Sequence, residues 1–320
     1  MFYNLILSLI TSLAIALIAG PVVIPFLIRL KFGQEIREIG PSWHKKKRGT
    51  PTMGGVIFIF SVMICALLFM RTREGLCLVL FGVSFGAIGF ADDFIKVVKR
   101  RNLGLTEMQK FTLQLLASII FLYAAMQWNI VNSEVIIPFV KKTVDFGIFY
   151  IPFALFVLIG TTNSVNLTDG VDGLASSVTV IVTLFFGVAA VKQGDTTAAL
   201  FAGAIAGGCI GFLAFNRHPA KVFMGDTGSL FLGGAVCALA LRLKMPLVLI
   251  IAGGVYVMET LSVIIQVTSF KLTGKRVFKM SPIHHHFEMC GWSEVKIVLT
   301  FSAVSLVLAL IAYWGGIAVV

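Results

Sequence analysis

Long apolar stretches, separated by polar segments, run along the chain from end to end. Each stretch predicts one helix, and the stretches number ten. Their expected bounds are 5–28, 53–70, 76–95, 109–128, 147–165, 173–191, 196–214, 228–241, 246–268 and 296–318. About 20 apolar residues are enough to cross the hydrocarbon core of a bilayer. The pattern therefore predicts an all-α, polytopic integral membrane protein with one transmembrane domain, residues 1–320.

The polar segments fall into two alternating sets that differ in length and in charge. The short set is 71–75, 129–146, 192–195 and 242–245, and the longer set is 29–52, 96–108, 166–172, 215–227 and 269–295. Of the 26 Lys and Arg residues, 19 are nearer to the long set and 7 are nearer to the short set. Because basic residues concentrate in cytoplasmic loops, we expect the long set in the cytoplasm and both termini outside.

The composition supports this prediction and excludes a soluble domain. Apolar residues make up 58% of the chain and charged residues 13%, whereas a soluble domain has about 25% charged residues. The net charge of +11 comes mainly from the loops beside the predicted helices, where it sets the topology. We therefore expect the lipid bilayer as a partner and no nucleic acid.

Acidic groups and histidines gather at one end of the predicted bundle. Ten of the 15 carboxylates and all five histidines belong to the cytoplasmic side. A transporter usually places its polar site near the membrane midplane, so this one-sidedness favours a site at the cytoplasmic mouth. Glu259 is the one carboxylate near the middle of a predicted helix, and it keeps a cation-coupled transporter as an alternative, although it could also pair inside the bundle or mark a helix break.

The first polar cluster is Phe-Ala-Asp-Asp-Phe-Ile-Lys at 90–96, where the third predicted helix ends. Asp92 and Asp93 precede Lys96 by four and three residues, so the three side chains can share a helix face. Adjacent carboxylates suit a divalent cation or base chemistry, because each raises the proton affinity of the other. The structural alternative is an ion pair at the end of a membrane helix.

The second cluster interrupts an apolar run with Asn163, Asn166, Asp169 and Asp172, which recur at every third position. This spacing predicts one side of a helix or of a helix–loop junction. A simple turn is the alternative, since Asn, Asp and Gly are turn residues. Few turns carry amides a full turn back into the helix, so we favour a functional site.

The third cluster begins at Asn216 and ends with Gly-Asp-Thr-Gly-Ser at 225–229, which opens the eighth predicted helix. One hypothesis is that Asp226 caps this helix. The other is that Asp226 binds Mg²⁺ beside glycines that allow a diphosphate to approach, since Mg²⁺ prefers a few carboxylates together with substrate phosphates.

Three consecutive histidines, His284, His285 and His286, lie in the last long segment. A zinc site is one hypothesis, but consecutive side chains on an extended loop diverge, and HExxH spacing is absent. A solvated loop is the structural alternative. Hydrogen bonding to phosphate or sugar is the hypothesis that we favour.

A fifth stretch, Gly-Thr-Pro-Thr-Met-Gly-Gly at 49–55, contains Thr50 and follows a basic run that includes Lys45. Basic runs beside a membrane helix usually act as topology anchors. Small, backbone-rich residues beside lysines are also what a phosphate cradle needs.

In their order along the chain, these stretches resemble the motifs of the polyprenyl-phosphate N-acetylhexosamine-1-phosphate transferases. The motifs that carry the resemblance are Lys-Arg-Gly-Thr-Pro-Thr-Met-Gly-Gly (47–55), Asp-Asp-Phe-Ile-Lys (92–96), Asn-Leu-Thr-Asp-Gly-Val-Asp-Gly (166–173), Phe-Met-Gly-Asp-Thr-Gly-Ser (223–229) and Pro-Ile-His-His-His-Phe-Glu (282–288). The resemblance covers essentially the whole chain. The His-His-His-Phe-Glu form is similar to the branch that uses N-acetylmuramoyl-pentapeptide donors.

The resemblance implies a Mg²⁺-dependent phosphoglycosyl transferase of peptidoglycan synthesis in the bacterial cytoplasmic membrane. The implied partners are UDP-N-acetylmuramoyl-pentapeptide, undecaprenyl phosphate and a second copy of the chain in a homodimer. The implied products are lipid I and UMP. Two phosphates meet in such a reaction, so their repulsion must be neutralised by metal and lysines. The alternative is the related branch that uses UDP-N-acetylglucosamine.

The resemblance also implies roles for individual residues. Asp92, Asp93, Lys96 and Asp226 are the expected catalytic residues, with Asp92 as the candidate base. Asp226 is the expected Mg²⁺ ligand, and Asp92 and Asp93 are further candidates. Expected phosphate contacts are Lys45, Lys96 and Lys110. The other expected substrate-binding residues are Thr50, Asn163, Asn166, Asp169, Asp172, Asn216, Phe223, Gly225, His284, His285 and His286, with Asp169 toward uracil or ribose and Phe223 stacking.

The asymmetry of basic residues generates a topology prediction. Single cysteines at Lys141 and Lys275, in a background without native cysteines, should be labelled from opposite sides of the membrane by an impermeant thiol reagent. Lys141 should react from outside. Labelling of both positions from the same side would contradict the ten-helix topology.

Overall fold

The structure, a computed structural model, describes residues 1–30, 49–99, 103–140 and 142–316. Lys45 and Lys141, which carry predictions above, lie outside these ranges. The described residues are mostly helical. The helices are α1 (Phe2–Arg29), α2 (Val56–Phe69), α3 (Arg73–Val98), α4 (Glu107–Gln127), α5 (Tyr150–Thr168), α6 (Leu174–Gln193), α7 (Thr196–Asn216), α8 (Gly225–Arg242), α9 (Pro246–Ala252), α10 (Gly254–Thr273), α11 (Ile283–Met289) and α12 (Glu294–Gly316).

Eight of these helices are long and apolar enough to cross a membrane: α1, α3, α4, α5 with the short 3₁₀ turn before it, α6, α7, α10 and α12. The helix α2 is apolar but has only 14 residues. Within the described ranges the chain is therefore a polytopic helical membrane protein, as the apolar pattern predicts.

The ninth predicted helix, 246–268, is wrong in one respect, because the structure divides it into α9 and α10. Gly253 ends α9 and begins α10, with φ −92° and ψ 23°. Its backbone N–H donates to the carbonyl of Leu249 at 2.7 Å. Glycine weakens a helix interior through its conformational entropy, so Gly253 and Gly254 together favour a break that the apolar pattern alone does not reveal.

Two segments that were predicted as loops contain regular structure. Residues 129–146 include a hairpin of β1 (Glu134–Ile137) and β2 (Lys142–Asp145), paired antiparallel with Glu134 opposite Asp145. Residues 269–295 include the helix α11, so the histidines lie on a helical turn and not on an extended loop.

The helix α8 forms the centre of the bundle. Every residue from Thr227 to Leu241 is buried. Its glycines allow neighbouring backbones to approach closely: a Cβ atom on Gly233 would lie 2.5 Å from the Cα atom of Thr162 in α5. In lipid there is no hydrophobic driving force for one helix to pack against another, so helices associate through close van der Waals contact at small residues. The first turn of α8, which carries Asp226, is therefore fixed by its neighbours.

Backbone contacts hold the beginning of α8 from two directions. The N–H groups of Gly54 and Gly55 donate to the carbonyls of Phe223 and Met224 at 2.8 and 3.0 Å. On the other side, a Cβ atom on Gly89 of α3 would lie only 2.0 Å from the carbonyl oxygen of Asp226. The position of the Asp226 backbone therefore depends on the absence of a side chain at residue 89.

We expect Gly89→Ala to displace α3 from α8 and to lower stability by about 1–3 kcal/mol, as overpacking of a close contact does. Thermal unfolding of the purified protein measures this loss. Gly160→Ala is the matched control, because Gly160 is also helical and a Cβ atom there meets nothing within 4 Å. Equal unfolding midpoints for the two variants would contradict the close-approach argument.

Candidate active site

Three carboxylates converge where α3 and α8 meet. Asp92 and Asp93 lie in the last two turns of α3, and Asp226 lies in the first turn of α8. One oxygen atom from each carboxylate lies within 4.8 Å of the others. Asp92 and Asp93 are almost fully buried, whereas 17% of the Asp226 side chain is exposed. Asp226 is therefore the most exposed member of the cluster.

Two lysines neutralise most of this charge. The Lys96 ammonium lies 2.9 Å from Oδ2 of Asp226 and 2.5 Å from Oδ2 of Asp92. The Lys110 ammonium, from the first turns of α4, lies 2.7 Å from the same Asp226 oxygen. The face shared by Asp92, Asp93 and Lys96 is as their spacing predicts. Three carboxylates and two ammonium groups leave one negative charge uncompensated when all are ionised.

Asp93 holds the backbone of the Gly-Asp-Thr-Gly-Ser motif. Its Oδ2 atom accepts hydrogen bonds from the backbone N–H and the hydroxyl of Thr227, at 2.9 and 2.8 Å. Gly225 has φ +72°, and a Cβ atom there would lie 2.5 Å from the same oxygen. A left-handed φ and this close contact both require glycine. The structure therefore gives Gly225 a steric role beside the cluster.

Asn166 connects α5 to the cluster. Its Nδ2 atom donates to Oδ1 of Asp226 and to the Ser229 hydroxyl, both at 2.8 Å. One turn earlier in α5, the amide of Asn163 donates to Oε1 of Gln114 at 2.8 Å. Gln114 is buried and lies one turn beyond Lys110 in α4. Gln114 was not among the predicted site residues, although a glutamine in the apolar part of α4, four residues after Lys110, was a usable signal.

Asp172 and Asn216 brace two loops against each other. Oδ2 of Asp172 accepts from the backbone N–H of Ala220 at 3.0 Å and lies 3.2 Å from Nδ1 of His218. Oδ1 of Asn216 accepts from the N–H of Gly173 at 3.1 Å, and its Nδ2 donates to the carbonyl of Val222. These contacts fix the turn after α5 against the segment before α8.

The remaining residues of the predicted site border this braced region. Asp169 is the C-cap of α5 and is half-buried, as is Phe223. Thr50 directly precedes Pro51, whose carbonyl accepts from the N–H of Phe223 at 2.8 Å. Thr50 and Phe223 therefore belong to neighbouring backbone segments. Lys45 lies outside the described residues.

The three histidines contact three different partners. His284 is 1% exposed, and its Nδ1 atom lies 3.0 Å from Oε2 of Glu259. His285 pairs with Glu288 at 2.5 Å. Nδ1 of His286 accepts from the backbone N–H of Lys279 at 3.1 Å. A zinc site would need nitrogen atoms of the three rings to converge on one point, and the groups of possible metal ligands within the described residues include none of these histidines.

The acidic cluster fits Mg²⁺. Carboxylate oxygens are the ligands that this ion prefers, and Asp92, Asp93 and Asp226 offer three of them close together. In the described part of the chain one other group of three could hold an ion, formed by Asp172, His218 and Glu294. Its imidazole makes it less suited to Mg²⁺.

Comparison with known proteins identifies two matching family models. Residues 75–244 match glycosyl transferase family 4. Residues 47–59 match signature 1 of the phospho-N-acetylmuramoyl-pentapeptide-transferases. The first match covers α3 to α8 and thus the acidic cluster, and the second covers the segment that pairs with the backbone before Asp226.

Curated relatives extend the similarity to nearly the whole chain. A protein of Clostridium botulinum (strain Alaska E43 / Type E3) is 54% identical over 308 residues, 96% of this chain and 94% of that protein. A protein of Clostridium perfringens (strain 13 / Type A) is 51% identical over 97% of this chain and 98% of its own length. A third, from Thermoanaerobacter sp. (strain X514), is 50% identical over 98% and 99%. Each is named phospho-N-acetylmuramoyl-pentapeptide-transferase.

We expect Asp226→Asn to weaken the binding of Mn²⁺, used as a paramagnetic probe for Mg²⁺, by about tenfold or more, because one of three charged ligands becomes neutral. Electron paramagnetic resonance titration of the purified protein measures the free ion. Asp145→Asn, on the exposed strand β2, is the control and should bind as the unaltered protein does. Unchanged Mn²⁺ affinity in Asp226→Asn would remove Asp226 from the ligand set.

Proposed function

Since this chain belongs to glycosyl transferase family 4 and, within it, to the phospho-N-acetylmuramoyl-pentapeptide-transferases, we propose how its acidic cluster carries out the reaction of that family. The chain is a phosphoglycosyl transferase of peptidoglycan synthesis. It transfers phospho-N-acetylmuramoyl-pentapeptide from UDP-N-acetylmuramoyl-pentapeptide to undecaprenyl phosphate, and it gives lipid I and UMP. The observation that carries the mechanism is the pairing of Asp92, Asp93 and Asp226 with Lys96 and Lys110.

The proposed topology has ten membrane crossings with the acidic cluster on the cytoplasmic side of the inner membrane. Eight described helices meet the length and hydropathy needed for a crossing. Two shorter or less apolar helices, α2 and α8, lie within the same bundle. Adding them gives ten crossings, and an even number, eight or ten, puts both termini on one side. The excess of basic residues in the long loops supports an outside location for both termini.

The reaction is an exchange at phosphorus. An oxygen of the acceptor phosphate forms a bond to the phosphorus that carries the sugar, and the bond from that phosphorus to the UMP oxygen breaks. The acceptor is already an anion near neutral pH, so it needs little activation. Catalysis then depends on holding two phosphates together despite their repulsion, which positioning and positive charge provide.

Lys96 and Lys110 supply positive charge for this step. Both ammonium groups are partly exposed and both reach Oδ2 of Asp226, so they lie at the mouth of the cluster where phosphate oxygens arrive. When bound by the three carboxylates, Mg²⁺ would add further charge neutralisation at the phosphates. The proposal places donor and acceptor phosphates beside Asp226.

For Asp92 we propose a positioning role beside the base role that the resemblance implies. Its Oδ1 accepts from the backbone N–H of Leu105 at 2.8 Å, and its Oδ2 contacts Lys96 and Lys110. We assign Asp92 the task of orienting both lysines, while Asp93 fixes the backbone at Thr227 and Asn166 orients Asp226.

The donor nucleotide is proposed to bind on the other side of Asp226, between the turn after α5 and the segment before α8. Asp169 and Phe223 border this space, and Thr50 is next to Pro51, whose carbonyl accepts from the N–H of Phe223. Lys45 precedes Thr50 in the sequence, and its phosphate contact stays a prediction. The amide of Asn163 and the brace of Asp172 and Asn216 support it. His285 and His286 approach from α11. The homodimer remains a prediction from the family resemblance.

A direct assay tests the function. We expect the purified protein to release UMP when UDP-N-acetylmuramoyl-pentapeptide, undecaprenyl phosphate and Mg²⁺ are all present, and to form the lipid-linked product. UDP-N-acetylglucosamine in place of the muramoyl donor is the matched control and should give no lipid product. Preferred use of UDP-N-acetylglucosamine would assign the chain to the other branch of the family.

A further inference from the structure

A buried glutamate in α10 has no assigned role. Glu259 is 0% exposed and lies within a helix long enough to cross the membrane. Its Oε2 atom lies 3.0 Å from Nδ1 of His284 and 3.5 Å from the backbone nitrogen of the same residue. Its Oε1 atom and both ring nitrogens of His284 have no hydrogen-bond partner among the described residues, so the approach of Nδ1 to Oε2 is a polar contact and not a hydrogen bond. The polar contacts of the Glu259 side chain within those ranges therefore all go to His284.

Burial of a carboxylate in a membrane bundle is costly unless a partner compensates it. An aliphatic residue would fill the same position in α10 without this cost. Other polar side chains of α10 already provide ordinary support: Thr260 donates to the Ser164 hydroxyl at 2.7 Å, and Gln266 accepts from the backbone N–H of Phe278 at 2.9 Å. The presence of Glu259 therefore needs a reason beyond holding α10 in the bundle.

The reason lies on the opposite edge of the His284 ring. A Cβ atom on Gly170 would lie 2.1 Å from Nε2 of His284, so the ring packs directly on the backbone of Gly170. Gly170 belongs to the turn between α5 and α6 that carries Asp169 and Asp172. Since His284 is 1% exposed, its ring cannot reach a soluble substrate in this arrangement, and its influence passes through that turn.

We infer that Glu259 is a positioning residue for the nucleotide donor, which acts by holding the His284 ring against Gly170. The carboxylate 3.0 Å from Nδ1 restricts how the ring can turn, and its hydrogen bond with the backbone nitrogen of His284 holds the first turn of α11 in place. The fixed ring then sets the backbone of the Asp169–Gly173 turn. This inference rests on the proposed function, because it takes that turn as part of the donor site.

The experiment compares Glu259→Gln, His284→Ala and the double variant in the purified, full-length protein. Each is measured for UMP affinity by calorimetry, for donor KM and kcat, and for thermal stability. Loss of the contact between Glu259 and His284 should release the ring and raise the UMP Kd and the donor KM by about tenfold in each single variant. Since both residues act through one ring, the double variant should lie within about threefold of His284→Ala.

Gly170→Ala provides a second test that leaves Glu259 and His284 in place. The added methyl group meets Nε2 of His284, so it should separate ring and turn and raise the UMP Kd similarly, with no further loss on adding Glu259→Gln. Thr260→Val is the matched control. It removes a hydrogen bond of the neighbouring residue in α10 but does not touch His284, and it should keep UMP affinity within about twofold.

Several outcomes would overturn the inference. One is multiplied losses, about a hundredfold in the Glu259→Gln/His284→Ala variant, which indicate independent action. Another is unchanged UMP affinity with a parallel fall in thermal stability and kcat, which indicates a structural role alone. If the unaltered protein binds UMP but forms no lipid product, the proposed function fails, while the UMP titrations still decide whether Glu259 acts through His284.

Discussion

The architecture of the site depends on the negative charge of Asp226. Its carboxylate accepts hydrogen bonds from Lys96 of α3, Lys110 of α4 and Asn166 of α5, at 2.9, 2.7 and 2.8 Å. A carboxylate in a low-dielectric bundle must be compensated, and here the compensation comes from three different helices. The charge of Asp226 can thus bind a metal or a lysine, and it also holds the ends of α3, α4, α5 and α8 together.

The close packing of α8 makes this convergence possible. Side chains at 89, 225 or 228 would push the Asp226 backbone away from α3 or from the segment at 51–55. Without them, the chain brings its carboxylate within reach of both lysines while Asp93 holds the next residue by its N–H and hydroxyl. The ion pairs of Asp226 therefore depend on the glycine contacts, because the polar groups of different helices meet here where the helix backbones approach closely.

Local patterns predicted the parts of the fold that depend on local physics. Apolar runs located the helices, and the Asp92–Lys96 spacing predicted a shared face. The sequence could not reveal partners brought together by packing, such as Lys110 with Asp226 across 116 positions, or Glu259 with His284. Helix breaks and short helices were also missed: a hydropathy pattern does not register the two glycines that separate α9 from α10, and the helix α11 has only seven residues.

In the described structure, Lys96 and Lys110 both pair with the carboxylates of Asp226 and Asp92. An arriving phosphate must therefore compete with a carboxylate for each ammonium group, so association is an ion exchange and not a simple addition of charges. Such an exchange lowers the affinity of the site for a phosphate alone, because the contacts that the phosphate forms replace ion pairs that it breaks. It favours molecules that bring a second anchoring element, a nucleoside or a long apolar tail. The pairing of lysines with carboxylates at the centre of the site would thus act as a filter against inorganic phosphate and small phosphate esters.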